Sequence, residues 1–343
     1  MTMRARTLSG RHENEGEEAC GTTSRGLVSR VGRTIVFTTL VVLSLLTFPS
    51  SLPWMIAFWL AWQTLAITRS KPPWMPLLTC VGILAVKRVY WPPTLIGFGG
   101  LALLVGIWSY FRPGAFSMRS RIGWTMTFAL WIACALFALQ WRAIATCGRE
   151  VLLDTSRSVV CIGDSLTSGL LPDRGYPAQL QKMIRPDVIN LGQSGIATEA
   201  GFGRLSRAAQ LDPPPQLVIL ELGGHDFLQG RSRFATKANL ERLIDKCRAM
   251  GAEVVLIEVP RGFMTDPFWG LEREIAHKKD VQLVADTAIR QLVLWSPISP
   301  PGMWFPEKHL SDDGIHSNRR GSEFVARHVA DALQRMFGSE IRQ

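Results

Sequence analysis

Charged residues are absent from long stretches of the first half of the chain and frequent throughout the second. Positions 34–68 form a run of 35 uncharged residues, broken only by Pro49-Ser50-Ser51-Leu52-Pro53. That pattern predicts two apolar helices of about 15–17 residues joined by a tight turn, each short against the ~20 residues that cross a ~30 Å hydrocarbon layer. Further apolar segments cover 73–86, 91–111 and 122–141, and the last two have full spanning length. Trp54, Trp74, Trp91, Trp108, Trp124 and Trp141 fall near segment ends, where indoles favour the headgroup level. These segments hold no acidic residue and no His, so they offer no proton relay and read as an anchor.

From about residue 157 the periodicity changes. Short apolar runs at 158–162, 188–191, 217–222, 253–259 and 281–284 have strand character. Between and after them lie helix-like stretches near 177–183, 199–209, 237–250, 269–279 and 321–337. Strands alternating with helices predict a parallel sheet covered on both faces, a three-layer α/β/α domain. The chain therefore divides into a tail at 1–33, expected to be disordered, a membrane region at 34–149 and an α/β domain at 150–343.

Charge refines this picture. The formal net charge is +10, which on its own would suggest nucleic acid. Its distribution argues otherwise: positions 34–149 carry nine basic residues and no acidic one, whereas 150–343 carry 23 basic and 24 acidic. Cationic loops between membrane segments explain the excess, and no basic groove for phosphates is expected. Arg25, Arg30 and Arg33 resemble the n-region of a signal peptide, but four further apolar segments favour an uncleaved anchor. With five spans and the amino terminus inside, Arg69, Lys71, Arg112, Arg119 and Arg121 fall on the cytoplasmic side, and only Lys87 and Arg88 break the rule. The α/β domain then lies outside, as expected for a protein of a bacterial inner membrane. If the short third segment lay at the interface instead, four spans would keep that domain inside. The six cysteines show no CxxC pair or metal spacing, so free thiols are expected, with no metal and no cofactor.

Candidate chemistry gathers where the strands end. The first run closes in Gly163-Asp164-Ser165, the second in Asn190-Leu191-Gly192-Gln193-Ser194-Gly195, the third in Glu221-Leu222-Gly223-Gly224-His225-Asp226. Near the carboxyl terminus stands Asp312-Asp313-Gly314-Ile315-His316-Ser317-Asn318. Ser and Asp at a strand–helix turn can simply cap the helix. Alternatively, Ser165, His316 and Asp313 supply a nucleophile, a base and a carboxylate that fixes the base's tautomer. Glycines at the second and third edges would let backbone N–H groups approach a developing oxyanion. Asp164 and Asp226 read as loop-fixing hydrogen bonders; His277, His309 and His328 read as surface or helix-face residues. The apolar segment 292–310 is either core covering or a wall for an acyl chain.

Residues 158–337 resemble the SGNH/GDSL hydrolase family, in particular its bacterial arylesterase/thioesterase/lysophospholipase-like branch. GDSLTSG, INLGQSG, VILELGGHD and DDGIHSN match its four ordered blocks, and GFGRL at 201–205 also fits. The resemblance implies a five-stranded parallel sheet of flavodoxin-like order. It implies Ser165 as nucleophile and backbone donor to the oxyanion hole, Gly195 as second donor, His316 as general base and Asp313 as its orienting partner. His225 stands where the family usually has Asn, either as a substitute oxyanion donor or as the mark of a weakened site. The implied partners are an acyl-ester substrate and the membrane. Hydrolysis of lysophospholipid or another acyl ester, removal or transfer of acyl groups on envelope polysaccharide, and a retired enzyme all remain open at this stage.

Overall fold

The computed structural model describes residues 31–69, 71, 73–87, 90–117, 119–146, 150–170, 175–259, 266–289, 309–313 and 316–343. Most of the expected tail, and nearly all of the apolar segment 292–310, lie outside these described residues. Two units divide the chain, Met1–Ser44 and Leu45–Gln343. The described part of the first belongs to helix α1 (Val31–Leu45).

The second unit begins with four apolar helices: α2 (Leu52–Thr68), α3 (Trp74–Val86), α4 (Pro93–Phe111) and α5 (Arg121–Thr146). Prolines start α2 and α4, where a missing N–H costs nothing because the first helical donors are unpaired anyway. Small residues let the helices approach: a Cβ on Gly106 of α4 would stand 2.9 Å from Leu78 of α3. The few polar side chains find one another, as they must in an apolar bundle. Gln63 Nε2 donates to Thr127 Oγ1 at 3.1 Å, and Trp131 Nε1 to Thr64 Oγ1 at 3.3 Å. Of the helices, α4 and α5 are long and apolar enough to cross a bilayer, while α1 and α3 are shorter.

The carboxyl-terminal domain is a five-stranded sheet, β1 (Val159–Gly163), β2 (Val188–Asn190), β3 (Leu217–Glu221), β4 (Glu253–Ile257) and β5 (Gln282–Val284). All pairings are parallel and the order is β2-β1-β3-β4-β5. Side-chain alternation builds two cores from the same strands. Val159, Cys161, Leu217, Ile219, Val255 and Ile257 face one core. Val160, Ile162, Val218, Leu220, Val254 and Leu256 face the other. Because both faces are covered, the strands are apolar except at end positions such as Asn190, Glu221, Glu253 and Gln282, and each buried Val, Leu or Ile contributes roughly 1.5–3 kcal/mol.

Helices α6 (Ser165–Ser168), α7 (Gly175–Leu180), α8 (Gly201–Ala208), α9 (Gly224–Leu228), α10 (Arg233–Ala249), α11 (Leu271–Lys279) and α12 (Arg319–Phe337) complete the layers. Asn318 caps α12 by accepting the Gly321 N–H at 3.0 Å. Val325, Val329, Leu333 and Phe337 then bury one stripe of it against the first core.

The fifth apolar helix outruns its expected end because its last turns pack on the sheet domain. Ala145 O accepts from Gln282 Nε2 at 3.3 Å, and Trp141 O accepts from Arg273 Nη1 at 3.3 Å. Arg273 is buried, lies over the Trp141 ring at 4.8 Å, and pairs with Glu258 at 2.8 Å and Asp286 at 3.6 Å. The turn before α2 joins in: Ser50 N–H donates to Asp286 Oδ1 at 3.1 Å, and Trp269 Nε1 to Thr47 O at 3.1 Å. Lys87 donates to the carbonyls of Leu45 and Thr47 and sits 5.1 Å over Trp269.

Removing one member of a buried ion cluster leaves the others uncompensated. Arg273→Met is therefore expected to lower stability by about 3–5 kcal/mol, with part recovered when Glu258→Gln is added. Denaturant unfolding of the full chain in detergent measures both.

Candidate active site

Strand β1 delivers Ser165 to the first turn of α6. Asp164 caps that turn, its Oδ1 accepting the Leu166 N–H at 3.1 Å, so the capping role expected of this stretch is real. The turn is tight because Gly163 has no side chain. A Cβ there would lie 2.0 Å from Thr167 Oγ1 and 2.6 Å from Glu221 Oε2. Beneath it, Glu221 ends β3 fully buried, and its Oε2 accepts both the Asp164 N–H at 3.2 Å and the Thr167 hydroxyl at 3.0 Å. Burial above all, then the charge of neighbouring Asp164, holds the Glu221 carboxyl well above the usual glutamate range. Burial also raises Asp164, against the pull of the Leu166 N–H, of Glu221 and of the imidazoles of His225 and His316. Both histidines thus lie within electrostatic reach of the turn that carries Ser165.

The loop after β2 is pinned from below. Asn190 Nδ2 donates to Thr167 O at 2.9 Å, its Oδ1 accepts the Gly192 N–H at 2.9 Å, and Gln193 N–H donates to Gly163 O at 3.0 Å. Gly195 follows at φ +80° with no atom within 4 Å of a would-be Cβ. Its glycine is required by backbone conformation and not by space. After β3, Gly223 adopts φ +119° and launches α9, which holds His225 in its first turn. Asp226 is buried and accepts from Thr198 N–H at 2.8 Å, Thr198 Oγ1 at 2.6 Å and Thr236 Oγ1 at 3.2 Å. It fixes the loop, as expected.

Asp313 and His316 meet directly. His316 Nδ1 lies 2.7 Å from Asp313 Oδ2, and the His316 backbone N–H donates to Asp313 Oδ1 at 3.0 Å. One carboxylate thus holds both the ring and the backbone of the residue three positions on. A proton on Nδ1 directed at that carboxylate leaves Nε2 as the acceptor nitrogen. No hydrogen bond joins Ser165 Oγ to His316 among the described residues. Such contacts are commonly long in ligand-free sites and tighten with substrate.

One expectation is corrected. His309 is not a surface residue but is 8% exposed, packed beside Phe324, because Leu310 and Ser317 form an antiparallel bridge that draws the segment inward. Glu221, Thr167 and Asn190 were missed as supports of the site. A carboxylate closing an otherwise apolar strand was the available signal for Glu221, since such a group persists only when hydrogen-bonded.

A parallel sheet of order 2-1-3-4-5, with polar residues gathered at the carboxyl ends of β1, β2 and β3 around the switch point, is the architecture of a flavodoxin-like α/β/α enzyme domain. The pattern of the GDSL-like Lipase/Acylhydrolase family matches residues 161–324. Esterase TesA of Pseudomonas aeruginosa is 30% identical over 168 residues, covering 47% of this chain and 80% of that protein. Thioesterase 1/protease 1/lysophospholipase L1 of Escherichia coli is 27% identical over 186 residues, covering 52% and 83%. Arylesterase of Vibrio mimicus is 29% identical over 190 residues, covering 52% and 88%. The chain belongs to the SGNH/GDSL hydrolase family, and its helical amino-terminal region, with two candidate membrane-spanning helices, precedes the matched part.

The buried Glu221 has a pH consequence. In the unfolded chain a glutamate ionises above about pH 4.3. Its raised value in the fold means that its stabilisation is complete below that pH and is lost as pH rises toward the folded value. Glu221→Gln preserves a neutral hydrogen-bonding group, so the decline of melting temperature across roughly pH 5–8 should become shallower than in the wild type. Differential scanning fluorimetry across that range checks the sign.

Proposed function

We propose that the protein is a membrane-anchored serine hydrolase that cleaves acyl esters or thioesters, lysophospholipids among them, through an acyl-enzyme on Ser165. The observation that carries this reading is the 2.7 Å contact between Asp313 and the Nδ1 of His316, which orients the imidazole as a base. The relatives' names, esterase, arylesterase, thioesterase and lysophospholipase, support the substrate class.

His316 Nε2 takes the Ser165 proton as Oγ attacks the acyl carbonyl, and Asp313 stabilises the imidazolium. The Ser165 and Gly195 backbone N–H groups, with the His225 ring, donate to the oxyanion. His316 then protonates the leaving alcohol or thiol. Water, deprotonated by the same imidazole, attacks the acyl-enzyme, and the carboxylic acid departs as Ser165 recovers its proton.

The arrangement of α4 and α5 supports one orientation. The segment joining them carries Arg112 and Arg119, with Arg121 at the start of α5, and lies at the end of the bundle away from the hydrolase domain. The exceptional Lys87 is 3% exposed and its ammonium is engaged by two carbonyls. These features support a hydrolase domain outside the cytoplasm of a bacterial inner membrane.

A fluorophosphonate probe should label the wild type and fail to label a folded Ser165→Ala variant; absence of labelling in folded wild type would indicate a retired enzyme. His225→Ala should lower kcat by about 10²–10³ with KM little changed, and unchanged kcat would remove His225 from the oxyanion hole. A carboxyl-terminal alkaline phosphatase fusion should be active, whereas activity confined to a cytoplasmic reporter would reverse the orientation.

A further inference from the structure

Helix α5 meets the sheet domain in a defined direction. Trp141 stands beside Arg273 and Asp286, just past the carboxyl end of β5, whereas Ala145 reaches Gln282 at that strand's amino end. The helix therefore runs antiparallel to β5, and Arg121–Gln140 extends beyond the carboxyl edge of the sheet by about 30 Å, at 1.5 Å per residue. The turn at Thr47–Ser50, with Lys87 and Tyr90, touches Asp286, Trp269 and His277 of the same flank. In a parallel sheet every carboxyl end lies on one edge, so this is also the edge that carries Ser165, Gly195 and His225.

What covers α4 and α5 is set by their composition. Leu104, Phe111, Phe128, Leu136 and Leu139 are exposed, and positions 34–149 hold no acidic residue. That surface fits hydrocarbon.

A separate observation bears on the hydrolase domain itself. Among its described residues three large apolar side chains are exposed, Leu152, Leu228 and Phe234. Leu228 ends α9, directly after β3, and Phe234 opens α10, so both belong to the carboxyl edge. Arg233 beside them donates to the carbonyls of Pro267 and Trp269, which ties this corner to the helix junction. Leu152 lies at the amino edge, where Val151 N–H bonds Met336 O and Asp154 N–H bonds Gln216 Oε1 just before β3.

We infer that the helix junction turns the catalytic edge of the sheet toward the bilayer, with Leu228 and Phe234 touching the lipid surface, so that the site takes acyl esters from the leaflet beside it. The orientation stands on geometry alone; the substrate source rests on the hydrolase reading above. Glu258 and Asp286, at the ends of β4 and β5, serve the junction, while the ends of β1, β2 and β3 are left for substrate. A fixed tether over one part of the edge keeps the other part at a set height above the lipid.

The full chain is reconstituted in vesicles of phosphatidylethanolamine and phosphatidylglycerol, with p-benzoylphenylalanine replacing either Phe234 or Leu152. Irradiation should yield lipid adducts at 234 and none at 152. Equal adducts, adducts at 152 only, or none at either position overturn the orientation. In the same vesicles, Leu228→Ser with Phe234→Ser should leave hydrolysis of water-soluble 4-nitrophenyl butyrate unchanged and slow that of vesicle-borne 4-nitrophenyl palmitate by about tenfold. Equal rates of variant and wild type on the vesicle-borne ester overturn lipid-borne supply. Wild type inert toward both esters, with adducts at 234 alone, counts against the hydrolase reading and supports the orientation.

Discussion

No side chain can stand at position 163. Thr167 Oγ1 and both the carbonyl and carboxyl of Glu221 occupy the place where a Cβ would go. That close approach lets β1 end against β3 and turn at once into α6, with the carboxyl of Asp164 on the first free amide and Ser165 at the lip of the sheet. A buried Glu221 then binds the amide of Asp164 and the hydroxyl of Thr167 together. Asn190 fastens the same short helix through the Thr167 carbonyl. Three strands thus converge on one four-residue helix, whose own hydrogen bonds are too few to hold it.

The carboxyl edge is shared between two tasks. At β1, β2 and β3 the loops are glycine-rich and leave Ser165, Gln193, Ser194 and His225 at least partly exposed. At β4 and β5 the corresponding carboxylates, Glu258 and Asp286, are buried under Arg273, Trp141 and the turn at Pro49–Ser51. A buried ion cluster of this kind adds orientation more than net stability. Here it sets the angle between a helix bundle and a sheet.

Much of this was legible in the residues. Strands buried on both faces read as unbroken apolar runs, and all five fall within two residues of their expected limits. The polar blocks fall at strand ends, which in a parallel sheet all lie on one edge. Short helices were harder: α6 and α9 have four and five residues, too few to show a period, and they arise from caps and glycine turns. The extra length of α5 and the burial of His309 depend on tertiary contacts, with Gln282 and with the bridge at Leu310, which local pattern does not encode. Glu221 was visible as an anomaly at the end of LVILE, but its partners, 54 and 57 positions away, were not.

The junction also bears on how the catalytic part can be handled in isolation. Arg273, Trp269 and Asp286 are sealed by three separate stretches of the preceding region. A fragment begun at residue 150 would carry this surface naked: the Trp269 indole without Trp141, on which it stacks, and a guanidinium and two carboxylates newly open to solvent. Excision by sequence alignment alone would cut through a shared interior, and a fragment intended to be soluble would need that wound dressed with polar replacements.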